Sequence, residues 1–206
     1  MRIVNVSVQN EGYVFCNSNF YSAQDTLSNS TCYNFSIGIN KLQGEIDSGN
    51  WAISYLLSMY KHRPKDFVLF DSTTVMVNND KTISIDELSL YSCYLDKLDP
   101  LFTYSVPVNK LVLKGLKRSH SKYSCDDIKS LFQIDNERFE RPLSGVGNEI
   151  FKAMAAIAFA NGKEIYCFPW LSNKRFSFYD KNLTELLETL KECGKIVIMP
   201  VGVYGK

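Results

Sequence analysis

The sequence predicts an α/β fold with parallel strands, and three observations carry that prediction. Strand-like and helical stretches alternate through the second half of the chain, as in a parallel sheet joined by helical crossovers. The run Gly44-Glu45-Ile46-Asp47-Ser48-Gly49-Asn50-Trp51 lies between a strand-like stretch and an apolar helical one. Its two glycines have the spacing of the phosphate-cradling pattern G-x-x-x-x-G-K-[ST]. A length of 206 residues suits a single domain, residues 1–206, with a sizeable core.

Composition narrows the function. A net charge of +1 points to no nucleic acid and no membrane surface as partner. The N-terminus runs straight into a strand-like stretch without a signal-peptide core, and no apolar run is long enough for membrane insertion. Cys16, Cys32, Cys93, Cys125, Cys167 and Cys193 are scattered, with no C-x-x-C pair. This favours reduced, cytoplasmic thiols over a disulfide frame or a zinc site.

Taken in order, residues 3–8 alternate apolar and polar, and residues 12–16 form a second short apolar run, so the two read as paired strands. Residues 20–31 are Ser/Asn-rich and read as a loop. Residues 33–42 alternate again and read as one strand entering the Gly44 loop. Residues 52–60 are helical and stop near Pro64. Residues 66–70 and 74–77 read as strands, with a turn at Asn78-Asn79-Asp80. Residues 85–90 make a short helix or turn, and 91–95 a strand. Residues 108–118 form a helix with Leu111, Leu113 and Leu116 as apolar positions and a Lys-rich face that reads as solvated surface. Ser124-Cys125-Asp126-Asp127 has the form of a capping box for a helix through Phe132. An Ala-rich helix spans about 149–160 and ends at Asn161-Gly162. Residues 164–168 are a buried strand, 183–193 a helix ended by Gly194, and 195–201 a final buried strand.

Several short motifs then fall into a recognisable order. Leu143-Ser144-Gly145 precedes the Ala-rich helix. Tyr94-Leu95-Asp96 with Leu101-Phe102 ends a strand, and Cys167-Phe168-Pro169 ends another. With the Gly44–Gly49 spacing, this order resembles the nucleotide-binding domain of ABC (ATP-binding cassette) ATPases over nearly the whole chain. The resemblance implies a P-loop NTPase core with a small antiparallel β region and a helical lobe at about residues 103–145. It places Asp96 at the glutamine-loop position, Leu143-Ser144-Gly145 at the signature, and Cys167 and Phe168 at the Walker B aspartate and the catalytic glutamate.

Each site departs from that pattern. Asn50 replaces the P-loop lysine that reaches the β/γ-phosphates, and Trp51 replaces the hydroxyl that ligates Mg²⁺; an indole only donates. Glu45 and Asp47 add carboxylates, each costing about 4 kcal/mol if held about 4 Å from a phosphate. The backbone N–H groups of the loop would still form an anion nest; the alternative reading is that Gly44 and Gly49 only shape a strand-to-helix turn. Cys167 offers no Mg²⁺ carboxylate and Phe168 no general base. Both histidines, His62 and His120, precede the signature, so no switch histidine follows the last strand.

The expected function is therefore an ABC-type nucleotide-binding-like subunit with a degenerate ATP site, inactive alone. ATP would be held weakly by Gly44, Ser48, Gly49, Asn50 and Trp51, with Ser144 and Gly145 offered to a nucleotide, and without Mg²⁺. The resemblance implies an ABC ATPase or ABC permease as partner, in a homodimer or heterodimer, and a cytoplasmic place, membrane-associated through a transporter. Ser144 can also be read as an ordinary helix cap. Two alternatives stay open: a nucleotide-free scaffold, and an ATP-hydrolysing subunit with substituted residues.

Overall fold

The N-terminal half builds antiparallel strands, and the computed structural model describes residues 1–10, 14–18, 21–25, 31–44, 50–59 and 74–202. The first strands are β1 (Asn5–Asn10), β2 (Val14–Ser18), β3 (Tyr21–Asp25), β4 (Thr31–Ser36) and β5 (Gly38–Gln43), followed by helix α1 (Asn50–Met59). Then come β6 (Thr74–Val77), β7 (Lys81–Ile83), α2 (Ile85–Leu88) and β8 (Ser92–Tyr94). The helices α3 (Val108–Ser119), α4 (Cys125–Leu131) and α5 (Asn136–Glu140) precede α6 (Ile150–Ala160), β9 (Ile165–Cys167), α7 (Asn173–Glu192) and β10 (Ile196–Val201).

One sheet is antiparallel, in the order β4-β1-β6-β7. The other has the order β5-β10-β9-β8, and all its pairings are parallel. β1 does not pair with β2, as the sequence suggests; it pairs with β4 and β6, while β2 pairs with β3 inside the stretch read as a loop. Local alternation gives a strand but not its partner, which is a long-range choice.

The stretch 33–42 is two strands in two sheets. Gly38, at φ +106°, turns the corner between them. Asn40 pins that corner: its Nδ2 donates to the carbonyls of Ser36 (2.8 Å), Gly38 (3.1 Å) and Val197 (3.0 Å). Because both strands alternate, nothing in their periodicity marks the break.

Asn78 and Asn79 both have positive φ, the type I′ geometry that joins β6 to β7 as a tight hairpin. The Ser124 capping box is present with both reciprocal bonds. Helix α7 begins about ten residues before the expected start, and α5 is a helix the sequence reading does not contain. The expected strand at 66–70 lies outside the described residues.

The parallel strands read as unbroken hydrophobic runs because both faces are covered. Ile165, Cys167, Ile196 and Ile198 pack under α1 with Ile53, Leu56 and Leu57. Tyr166, Phe168, Val197 and Met199 face α6 and α7 with Met154, Ile157, Leu186 and Leu190. Helix α3 buries Val108, Leu111, Val112 and Leu116 but leaves Leu113 45 % exposed, so Leu113 is not a core position. At Gly115 the α3–α6 approach is so close that a Cβ would meet Asn161 Nδ2 at 2.5 Å.

Candidate functional site

In open parallel sheets, ligands sit outside the carboxyl ends of the strands. Here those ends are Gln43 of β5, Tyr94 of β8, Cys167 of β9 and Val201 of β10. Gly44 continues directly from β5. Its N–H donates to the Val201 carbonyl (3.0 Å), and its own carbonyl accepts the Trp170 indole N–H (3.1 Å). Residues 45–49, with Ser48 and Gly49, lie outside the described residues. Asn50 and Trp51 occupy the first turn of α1. One turn further, buried Ser54 donates to the Phe168 carbonyl at 2.6 Å. The strand before the glycine run, the helix after it and the end of β9 are therefore neighbours.

The end of β9 is sealed. Cys167 and Phe168 have no solvent exposure. Cys167 packs beneath α1, where burial pushes its thiol up to about 12, so it is protonated at neutral pH and a poor nucleophile. Phe168 points to the opposite face, its ring 5.4 Å from that of Phe151 on α6. A protonated thiol and a phenyl ring do not fit Mg²⁺, which takes oxygen ligands.

Asp96, half-buried, accepts from the Leu98 N–H at 3.1 Å and lines a cleft of about 270 Å³. The cleft is walled by Tyr104, Ile150, Phe151, Met154, Pro169 and Leu171. It joins the segment after β8, the first turns of α6 and the segment after β9. Asp99 stands next to this turn, and no sequence motif marks it. It is buried, and its two oxygens accept from the N–H groups of Tyr94 (2.8 Å) and Leu101 (2.9 Å), fixing the turn that carries Asp96. An Asp followed by Pro100 is the local signal of such a turn.

Leu143–Gly145 and Gly147–Glu149 are two 3₁₀ turns leading into α6. Leu143 is buried; Ser144 and Gly145 are exposed. The Ser144 N–H donates to the Tyr104 carbonyl at 3.0 Å, which anchors it to the helical part of the chain. Ser144 is not a helix cap: Pro142 precedes its turn, Glu149 precedes α6, and neither turn nor helix has a side-chain cap bond. The structure thus gathers Gly44, Asn50, Trp51, Asp96, Cys167 and Phe168 around the sheet's carboxyl edge. Ser144 and Gly145 stand at the head of α6, whose first turns reach the cleft.

Among solved structures, an assigned ABC transporter ATP-binding protein from Pyrococcus furiosus superposes with a TM-score of 0.65 at 12 % identity, covering 98 % of this chain and 93 % of that one. The fold is that of an ABC ATPase domain. A dimeric ATP-binding cassette in a post-hydrolysis state, bound to ADP and Pi, matches with a TM-score of 0.59 at 12 % identity over 97 % of this chain and 88 % of that one. A bacterial Atm1-family ABC exporter with ATP bound matches with a TM-score of 0.61 at 10 % identity; this chain is covered fully and spans 35 % of the exporter. No family model and no curated protein matches the sequence. Among the described residues, no helix is long and apolar enough to cross a membrane.

Proposed function

We propose that this chain is an ABC-type nucleotide-binding-like subunit with a degenerate ATP site, which hydrolyses no ATP alone and acts beside a partner ATPase or transporter. The observation that carries this reading is the sealed end of β9. Cys167 and Phe168 are wholly buried, so the end of β9 offers no carboxylate to hold Mg²⁺ or activate water. Phosphoryl transfer depends on positioning and electrostatic stabilisation, and losing one such contact commonly costs two or three orders of magnitude.

The whole chain acts as one ABC-like domain, its helical lobe lying at about residues 103–145. Gly44, Ser48, Gly49, Asn50 and Trp51 hold ATP weakly, through backbone N–H groups at the head of α1 and without a lysine. Ser144 and Gly145 are offered outward to a nucleotide carried by a partner, in a homodimer or heterodimer. The similar solved structures include a dimeric cassette and an exporter, which supports a paired or transporter-bound form.

The test is a calorimetric titration of the pure protein with ATP, followed by a phosphate-release assay with Mg²⁺. Measurable binding without turnover is the expected result. Mg²⁺-dependent release that Gly49→Arg abolishes would overturn it. An absence of any binding would leave a nucleotide-free scaffold.

A further inference from the structure

A polar cleft of about 340 Å³ adjoins β8, the last strand in the order β5-β10-β9-β8. The glycine run follows β5, at the other end of that order. Five parts of the chain build the cleft. Ser58 comes from the end of α1, and Ser89, Leu90 and Ser92 come from the entry into β8. Asp99, Pro100 and Leu101 come from the turn after β8, Arg118 from the last turn of α3, and Lys163 from the segment before β9.

The deep part of the lining accepts hydrogen bonds. Ser58, Ser92 and Asp99 are only 6, 1 and 7 % exposed. The Ser58 hydroxyl donates to the Ser54 carbonyl at 2.9 Å, and the Ser92 hydroxyl donates to the carbonyls of Leu57 and Leu88. A hydroxyl has one proton and two lone pairs, so both oxygens meet the cleft as acceptors. Asp99 adds a buried negative charge.

The outer part has the opposite character. Arg118 is exposed, and among the described residues no acceptor pairs with its guanidinium. Its planar fork of N–H donors suits a carboxylate. Lys163 donates to the carbonyls of Leu90 (2.8 Å) and Ser89 (3.2 Å) and adds a second positive charge. Leu90, exposed, contributes apolar surface together with Pro100 and Leu101.

We propose that this cleft binds a small zwitterion of the amino-acid type. Its carboxylate pairs with Arg118, its ammonium turns to Asp99 and the Ser58 and Ser92 oxygens, and its hydrocarbon side chain lies on Leu90, Pro100 and Leu101. A simple cation meets Arg118 and Lys163 as like charges, and a simple anion leaves the buried acceptors without a donor; a zwitterion satisfies both ends. The volume stands at the small end of ligand pockets, which fits a molecule of this size. The inference does not rest on nucleotide binding.

The probe is L-norleucine, with hexanoate and pentylamine as its single-charge halves; the first lacks the ammonium and the second the carboxylate. Calorimetric titration of the whole chain should show saturable norleucine binding with a Kd below about 1 mM. Each half should bind at least about tenfold more weakly, the worth of one charge-assisted hydrogen bond. Arg118→Gln should weaken norleucine and hexanoate about tenfold and leave pentylamine unchanged. Arg118 is exposed, so this variant keeps the fold, which thermal unfolding checks. Asp99→Asn should weaken norleucine but not hexanoate. Where that variant fails to fold, the norleucine-to-hexanoate ratio of the wild-type chain decides the ammonium contact. Saturating ATP should leave norleucine bound. No saturation up to about 10 mM, or an Arg118→Gln variant that binds norleucine as tightly as wild type, would overturn the site. Equal affinity for norleucine and hexanoate would overturn the zwitterion, and displacement by ATP would overturn the separate location.

Discussion

The end of β9 and the turn at Leu143–Gly145 each adjoin a regular element, yet they are built oppositely. At β9 both side chains go inward: Cys167 under α1 and Phe168 against Phe151, with Ser54 taking the Phe168 carbonyl. At the turn only Leu143 goes inward, while Ser144 and Gly145 remain exposed and the backbone is tied down behind them. The first region is part of the core. The second is a rigid mount for exposed polar groups. A buried strand end tolerates no unpaired charge, whereas an exposed turn tolerates surface change.

The largest test of that contrast is Cys167→Asp, which returns a carboxylate to the end of β9. Buried and without a cation, it should cost about 3–5 kcal/mol in urea unfolding. A variant as stable as wild type that gains Mg²⁺-dependent turnover would show the site to be open after all.

Next in size is Ser54→Ala, which strips the hydroxyl that donates to the Phe168 carbonyl. The expected loss is about 1–3 kcal/mol, the cost of a buried acceptor left unpaired. A loss near zero would mean that α1 and β9 are held together by apolar packing alone.

Between the two regions lies Lys152, buried on α6 and paired with Glu185 of α7. The hydrogen bond from Lys152 holds the Glu185 carboxyl below its usual range, with the positive charges of Lys152 and Lys181 adding to the shift. A depressed folded pKa gives stability that is present above the unfolded value and lost as the pH falls through the folded one. Stability should therefore decline on acidification below about pH 4.5, the ordinary glutamate value. Lys152→Met should remove that part of the decline. Identical acid transitions in both proteins would deny the pair this role.

The smallest effect on stability is expected at the mount. Ser144→Arg should change unfolding by less than about 0.5 kcal/mol, as for exposed positions generally. It should nevertheless abolish any preference for a partner carrying ATP over one carrying ADP. A variant that keeps the preference would remove Ser144 from the proposed interface.

Much of this contrast was legible in the residues. The buried character of 165–168 followed from the apolar run after Glu164, and the helix after Leu143-Ser144-Gly145 from its alanines. Ser144 as a cap was a reasonable local inference, but two 3₁₀ turns displace the helix start to Ile150. The Arg138–Glu149 pair spans 11 positions and two elements, one of them a five-residue helix without a clear periodic signal. Asp99 was hidden because its role is to satisfy backbone groups, which a sequence does not display.

By itself the sequence determined the α/β alternation, the apolar strands of the parallel sheet, the glycine spacing after β5, and the absence of acidic residues from Tyr166-Cys167-Phe168. These are properties of short windows, set by period, propensity and residue chemistry. Tertiary structure alone decided that residues 33–42 split between two sheets at Gly38, that β1 pairs with β4 and β6, and that Glu149 turns toward Arg138 instead of its own helix. Those outcomes depend on which distant backbone edge or charge is within reach, and chain closure settles that, not local preference.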